Sequence, residues 1–98
     1  MNICGCEKLK SLKYISTLIG KGGLGVSQSG LVDLSNGPKE IEGNYYCNNN
    51  PNLKRLNAQD TVMTGHETAF HCYNNDSLKR LNGLPKMKYK DIKIKTDL

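Results

Sequence analysis

Four cysteines, two histidines and one glycine-rich run are the residues whose types could do chemistry in this chain. Cys4-x-Cys6 with Cys47, Cys72 and a histidine would offer zinc soft ligands. Structural zinc sites, however, draw on closely spaced pairs of the Cys-x-x-Cys kind, and none is present. His66-Glu67 followed by His71 resembles a helical metalloprotease motif, but the second histidine stands at i+5, which does not return to the same helical face. Gly20-Lys21-Gly22-Gly23-Leu24-Gly25 fits the glycine pattern that cradles phosphates. That loop needs a strand, a turn and a long helix or hairpin around it. No Ser/His/Asp arrangement and no paired carboxylates stand out. The expectation is no enzyme, no bound metal and no cofactor.

Binding chemistry is better represented. Lys54-Arg55 recurs as Lys79-Arg80, and Lys86, Lys88, Lys90, Lys93 and Lys95 crowd the C-terminal end. With 14 basic against 9 acidic residues the net charge is +5, enough to attract an acidic partner. These cations lack the interleaved aromatic residues on which single-stranded bases stack, so nucleic acid is a second reading. At 98 residues and 37% hydrophobic, the composition leaves no room for a large catalytic cavity. No apolar run approaches the roughly 18 residues of a membrane span, and no signal-like segment opens the chain. The reading is a soluble cytoplasmic protein without membrane association, its thiols reduced. Eleven asparagines, clustered at 48–52 and 74–75, are left for the architecture to explain.

The elements that position these residues emerge from an internal repeat. Segments 45–57 and 70–82 match position by position without a gap, from Tyr45 and Phe70 through Cys47 and Cys72 to Leu53-Lys54-Arg55-Leu56-Asn57 and Leu78-Lys79-Arg80-Leu81-Asn82. Their Leu-x-x-Leu pairs locate two weaker copies, Leu9 with Leu12 and Leu31 with Leu34, so the first leucines step by 22, 22 and 25. Before each pair sits Cys4, Val26, Cys47 or Cys72, and two positions earlier in the later three stands Leu24, Tyr45 or Phe70, a period-two strand signal. Ile19, Ile41 and Met63 follow the second leucines, ahead of Gly20, Gly43 and Gly65. Leu84-Pro85 with Met87 or Tyr89 fills that stretch in the fourth copy, and Ile92-Lys93-Ile94 forms a terminal strand, Ile94 being 22 residues after Cys72. A unit this short cannot bury its own apolar side.

The predicted fold is therefore a short β-solenoid of about five rungs. Its strands are parallel and its convex side is loop or short helix. Residues 1–98 form one repeat domain, with repeats near 2–23, 24–44, 45–69 and 70–91 and a terminal strand at 92–94. Between Met63 and Phe70 the extra residues of Thr64-Gly65-His66-Glu67-Thr68-Ala69 mark an insertion that bulges from one face.

Aromatic-x-Cys-x-x-Asn followed by Leu-x-x-Leu and Gly-Pro or Gly-x-Pro resembles a leucine-rich-repeat variant of phage and bacterial proteins. Cys47 with Asn50, Cys72 with Asn75, Asn36-Gly37-Pro38 and Asn82-Gly83-Leu84-Pro85 carry the resemblance. Leu53 and Leu78 fall one residue late, and Glu7 and Ser29 occupy the asparagine position in the first two repeats. The resemblance implies that Asn50 and Asn75 form a buried ladder bonding backbone groups at the turns. Asn48, Asn49, Asn52 and Asn74 suit turn conformations in the left-handed region. The sequon Asn75-Asp76-Ser77 is incidental in an intracellular protein.

Cys4, Val26, Cys47 and Cys72 then face inward as small apolar residues, with Cys47 and Cys72 about 5 Å apart on neighbouring strands. Facing outward are Tyr46 and Asn48, His71 and Tyr73, and Lys93 and Lys95, while the first two rungs offer only Ile3, Gly5, Gly25 and Ser27. Aromatic anchors beside a histidine are the type of patch that seats a protein partner. The functional expectation is a small protein-binding module that uses this face with His66 and Glu67. By analogy with the phage-type repeat, it would be a phage-encoded inhibitor of a host protein such as an antiviral defence factor. The alternative is an electrostatic binder of nucleic acid or an acidic partner through Lys54, Arg55, Lys79, Arg80, Lys86, Lys88 and Lys90. An uncapped solenoid edge could also associate with another copy.

Overall fold

The computed structural model describes residues 8–13 and 22–98, Gly5, and the backbone of 2–4. Cys6, Glu7, Ile19, Gly20 and Lys21 lie outside the described residues. The strands are β1 (Asn2–Cys4), β2 (Leu24–Ser27), β3 (Glu40–Ile41), β4 (Tyr45–Tyr46), β5 (Val62–Met63), β6 (Ala69–Cys72), β7 (Lys86–Met87) and β8 (Lys93–Thr96). They build two parallel sheets, one of five strands in the order β1-β2-β4-β6-β8 and one of three in the order β3-β5-β7. Successive strands of each sheet are one coil apart, so the chain winds as a β-solenoid.

The number of coils and the convex side differ from expectation. Three consecutive coils carry a strand in both sheets, β2 with β3, β4 with β5 and β6 with β7. The solenoid makes about three turns instead of five rungs, because among the described residues β1 and β8 contribute to the larger sheet alone. No α-helix occurs among the described residues. Where loop or helix was expected, Ile41, Met63 and Met87 sit in a second parallel sheet, with Ile41 opposite Met63 and Met63 opposite Met87.

Register corrects both ends of the larger sheet. Leu24 pairs with Tyr45, Tyr45 with Phe70 and Phe70 with Ile94, so Ile94 continues the row of large side chains and Thr96 stands opposite Cys72. At the other end Ile3, not Cys4, lies opposite Val26. A slip of one residue in a strand exchanges its faces, and the flanking turns, whose lengths the repeat does not keep constant, set this register.

Between the sheets lies one core. Leu24, Val26, Leu31, Leu34, Ile41, Tyr45, Cys47, Leu53, Leu56, Met63, Phe70, Cys72 and Leu78 are buried, with Leu9, Leu81, Leu84, Met87 and Tyr89 partly so. The Leu-x-x-Leu pairs lie on turns. Each fully buried leucine contributes roughly 1.5–3 kcal/mol, so a narrow apolar stripe per coil suffices. Tyr45 packs edge-on against Phe70 with centroids 5.2 Å apart. Its buried hydroxyl has no hydrogen-bond partner, and burial pushes the phenol well above its ordinary range. An unpaired buried hydroxyl costs about 1–3 kcal/mol, so Tyr45→Phe should raise the melting temperature by several degrees. A thermal melt that moves down instead would show that the hydroxyl is paired in solution.

The asparagine ladder is present. The Ser29 amide and hydroxyl donate to Asn50 Oδ1 at 3.3 and 2.8 Å, and Asn50 Nδ2 donates to the Val26 carbonyl at 3.0 Å. One coil on, the Asn50 amide donates to Asn75 Oδ1 at 2.8 Å while Asn75 Nδ2 donates to the Cys47 carbonyl at 2.8 Å. Ser29 therefore takes the asparagine position with a shorter side chain. Asn75 is buried and committed, which removes it as a glycan acceptor. Asn49 and Asn74 adopt positive φ as expected; Asn48 and Asn52 do not, and Asn36 and Asn57 do.

Candidate partner-binding groove

Parallel stacking places Tyr46 on β4, His71 on β6 and Lys95 on β8 in one row across the outward face, in register with Gly25 on β2. Tyr46 lies flat on His71, centroids 4.3 Å apart and planes 17° apart, and remains 39% exposed. Tyr73 sits 6.5 Å from His71 in a tilted arrangement. Desolvation, with the neighbouring Lys95 charge, holds the His71 imidazole below its usual range, so it is neutral near pH 7. A second row sets Ala69 beside Lys93.

The insertion forms a wall along these rows. A Cβ on Gly65 would overlap the Glu42 carbonyl oxygen, so glycine is required where the loop leaves the coil beneath it. Thr68 Oγ1 donates to the Gly65 carbonyl at 3.0 Å, and the Thr68 carbonyl accepts from the Lys93 amide at 3.0 Å. Glu67 adopts a φ of 56°, a left-handed backbone that a side chain seldom takes. His66 stacks on Tyr89 at 3.8 Å, with Nδ1 3.1 Å from Asp91 Oδ2. Strands and wall together enclose an open groove of about 590 Å³ whose lining includes Tyr46, Glu67, His71, Asp91, Lys93 and Lys95.

Tyr46, Glu67, His71, Lys93 and Lys95 are thus brought together, while His66 is outside the lining and touches it through Asp91. Asn48 and Tyr73 lie outside the groove lining, and Asn48 Oδ1 accepts the Tyr73 amide at 2.8 Å, committing that side chain to the sheet. Sequence reading missed Asn44, Thr68 and Asp91. Asn44 Oδ1 accepts the Ala69 amide at 2.8 Å. The period was the available signal for Asp91, which stands one coil after His66. A groove of similar size, about 620 Å³, follows the turns past Lys10, Gln28 and Asn52, with one cation and no aromatic group.

The other cations are spread over several elements. Lys54, Arg55, Lys79 and Arg80 are exposed on the turns after β4 and β6, Lys86 is in β7, and Lys88 and Lys90 precede β8. Arg55 Nε is 3.5 Å from Asp33 Oδ2. Burial raises the Asp33 pKa, but hydrogen bonds from Ser35 and Asn57 and the Arg55 charge outweigh it and hold the carboxyl below its usual range. Lys79 Nζ donates to the Asp76 carbonyl at 3.0 Å, and Lys88 lies 5.5 Å from the Tyr89 ring centroid.

Cys47, directly after β4, and Cys72, at the end of β6, are buried free thiols on neighbouring coils. The hydrogen bond between them and then burial push Cys47 up, while the same bond draws Cys72 down. Among the described residues no group of three or more His, Cys, Asp or Glu side chains is placed to hold a metal, and no helix is long and apolar enough to cross a membrane. No protein family, curated protein or solved structure matches the chain.

Proposed function

We propose that this solenoid is a protein-binding module of the leucine-rich-repeat-like type and that the groove on its larger sheet seats the partner. One observation carries the reading. The exposed Tyr46–His71 stack runs directly into two lysines and is walled by Glu67 and Asp91, so a single groove offers an aromatic anchor and charges of both signs. The stack is held by parallel strands on a filled core, which lowers the ordering cost of binding. The phage-type repeat pattern supports the narrower proposal of a phage-encoded inhibitor that occupies a host protein, such as a defence protein, in the host cytoplasm.

Tyr46→Ala is expected to weaken capture of a partner from host lysate by about tenfold or more, a typical loss for a central aromatic anchor. Tyr73→Ala should act in the same direction with smaller effect, since Tyr73 stands outside the groove lining. Circular dichroism and melting temperature should match the parent, because Tyr46 is largely outside the core. Undiminished capture by the double variant would overturn the assignment. Nucleic-acid binding is the competing reading, and a titration over salt concentration separates it through a steep log-log slope.

A further inference from the structure

We propose that β8 is a receptor edge for an extended acidic segment of a protein partner, which adds as the next strand of the larger sheet. This rests on the protein-binding reading and names the partner chemistry. β8 ends the strand order, paired on one side with β6 and on the other with no strand among the described residues. The Lys93 amide is used toward the β6 side, on the Thr68 carbonyl. Alternation along a parallel ladder then turns the Ile94 N–H and C=O to the open side.

The side chains of the edge are sorted by chemistry. Ile94 continues the row Leu24–Tyr45–Phe70, whose members are at most 4% exposed, yet is itself 41% exposed. An apolar side chain beside it would cover it and lengthen the core row by one place. Lys93 and Lys95 stand on the groove side, exposed, and neither forms an ion pair among the described residues. Their nearest partners across an added strand would sit two residues apart on the same face, where carboxylates gain and ammonium groups lose. The complementary segment alternates acidic, apolar and acidic residues. The same lysines oppose antiparallel pairing of β8 with the β8 of a second copy, which would set like charges face to face. Specificity thus comes from repulsion as much as attraction.

The probe is a labelled synthetic peptide alternating Glu and Val, titrated into the 98-residue protein by fluorescence anisotropy, with a Lys/Val peptide and a single-stranded oligonucleotide beside it. Saturable binding of the acidic peptide alone is expected. Lys93→Glu with Lys95→Glu should weaken it about tenfold or more and create affinity for the basic peptide. N-methylation of the peptide at the amides facing β8 should abolish binding, whereas methylation at the alternate amides should not, a readout that leaves the protein untouched. Equal affinity for both peptides, no binding, insensitivity to methylation, preference for the oligonucleotide, or concentration-dependent self-association in place of peptide binding would each overturn the proposal. Peptide binding that survives Tyr46→Ala, with lysate capture also unaffected, sinks the groove reading and leaves the edge. Tyr46-dependent capture that persists in the lysine reversals sinks the edge and leaves the groove.

Discussion

Asn50→Ala is expected to remove a large part of the protein's stability, about 4 kcal/mol or more. The Asn50 side chain is fully buried; it accepts from the Ser29 amide and hydroxyl and donates to the Val26 and Asn48 carbonyls. An alanine satisfies none of these groups. At about 1–3 kcal/mol for each of these four groups, the loss is about 4 kcal/mol or more. A domain this size has roughly 5–15 kcal/mol in all. Urea unfolding followed by circular dichroism is the measurement. Asn75→Ala should cost less, since Asn75 retains some exposure, and Asn52→Ala, on an exposed turn, should stay within about 0.5 kcal/mol. An Asn50→Ala midpoint within error of the parent would mean the ladder adds nothing to stability.

The second large effect is expected at Phe70, which is fully buried in β6 with strands on both sides and Tyr45 edge-on against it. Phe70→Ala removes one of the two aromatic side chains of the central row, and neighbours held in two sheets relax little into the void. The expected loss is about 3–5 kcal/mol, against roughly 1–2 kcal/mol for Phe70→Leu, which keeps most of the volume. Thermal and urea melts of the two variants give the comparison. Similar melts for Ala and Leu would show that the coils close around the cavity.

The period was legible because stacking demands the same residue type at the same height in every coil. Two coils with identical Leu-Lys-Arg-Leu-Asn runs made the phase unambiguous and placed Tyr46, His71, Lys93 and Lys95 on one face. Asn50 and Asn75 could be assigned to the turns for the same reason. The smaller sheet was not legible because its strands are two residues long. Alternation needs more positions than Glu40-Ile41 or Val62-Met63 provide, and the ladder between them is set by what the turns leave in place. The ends were misregistered because Ile3 and Ile94 each have a neighbour on one side only, so nothing in the pattern distinguishes a shifted strand. Asp91 escaped notice because its partner His66 lies in the insertion, where repeat and coil fall out of step.

Every strand of the larger sheet finds its neighbour about 20–25 residues along the chain, and no hairpin joins any two of them. The first pairing has to close a full coil before any ladder bond repays the entropy, which makes initiation slow for so short a protein. Once two coils have met, each further one closes against a finished template. Assembly then proceeds like a zipper running outward from the middle coils, where Tyr45, Asn50 and Phe70 sit, toward β1 on one side and β8 on the other.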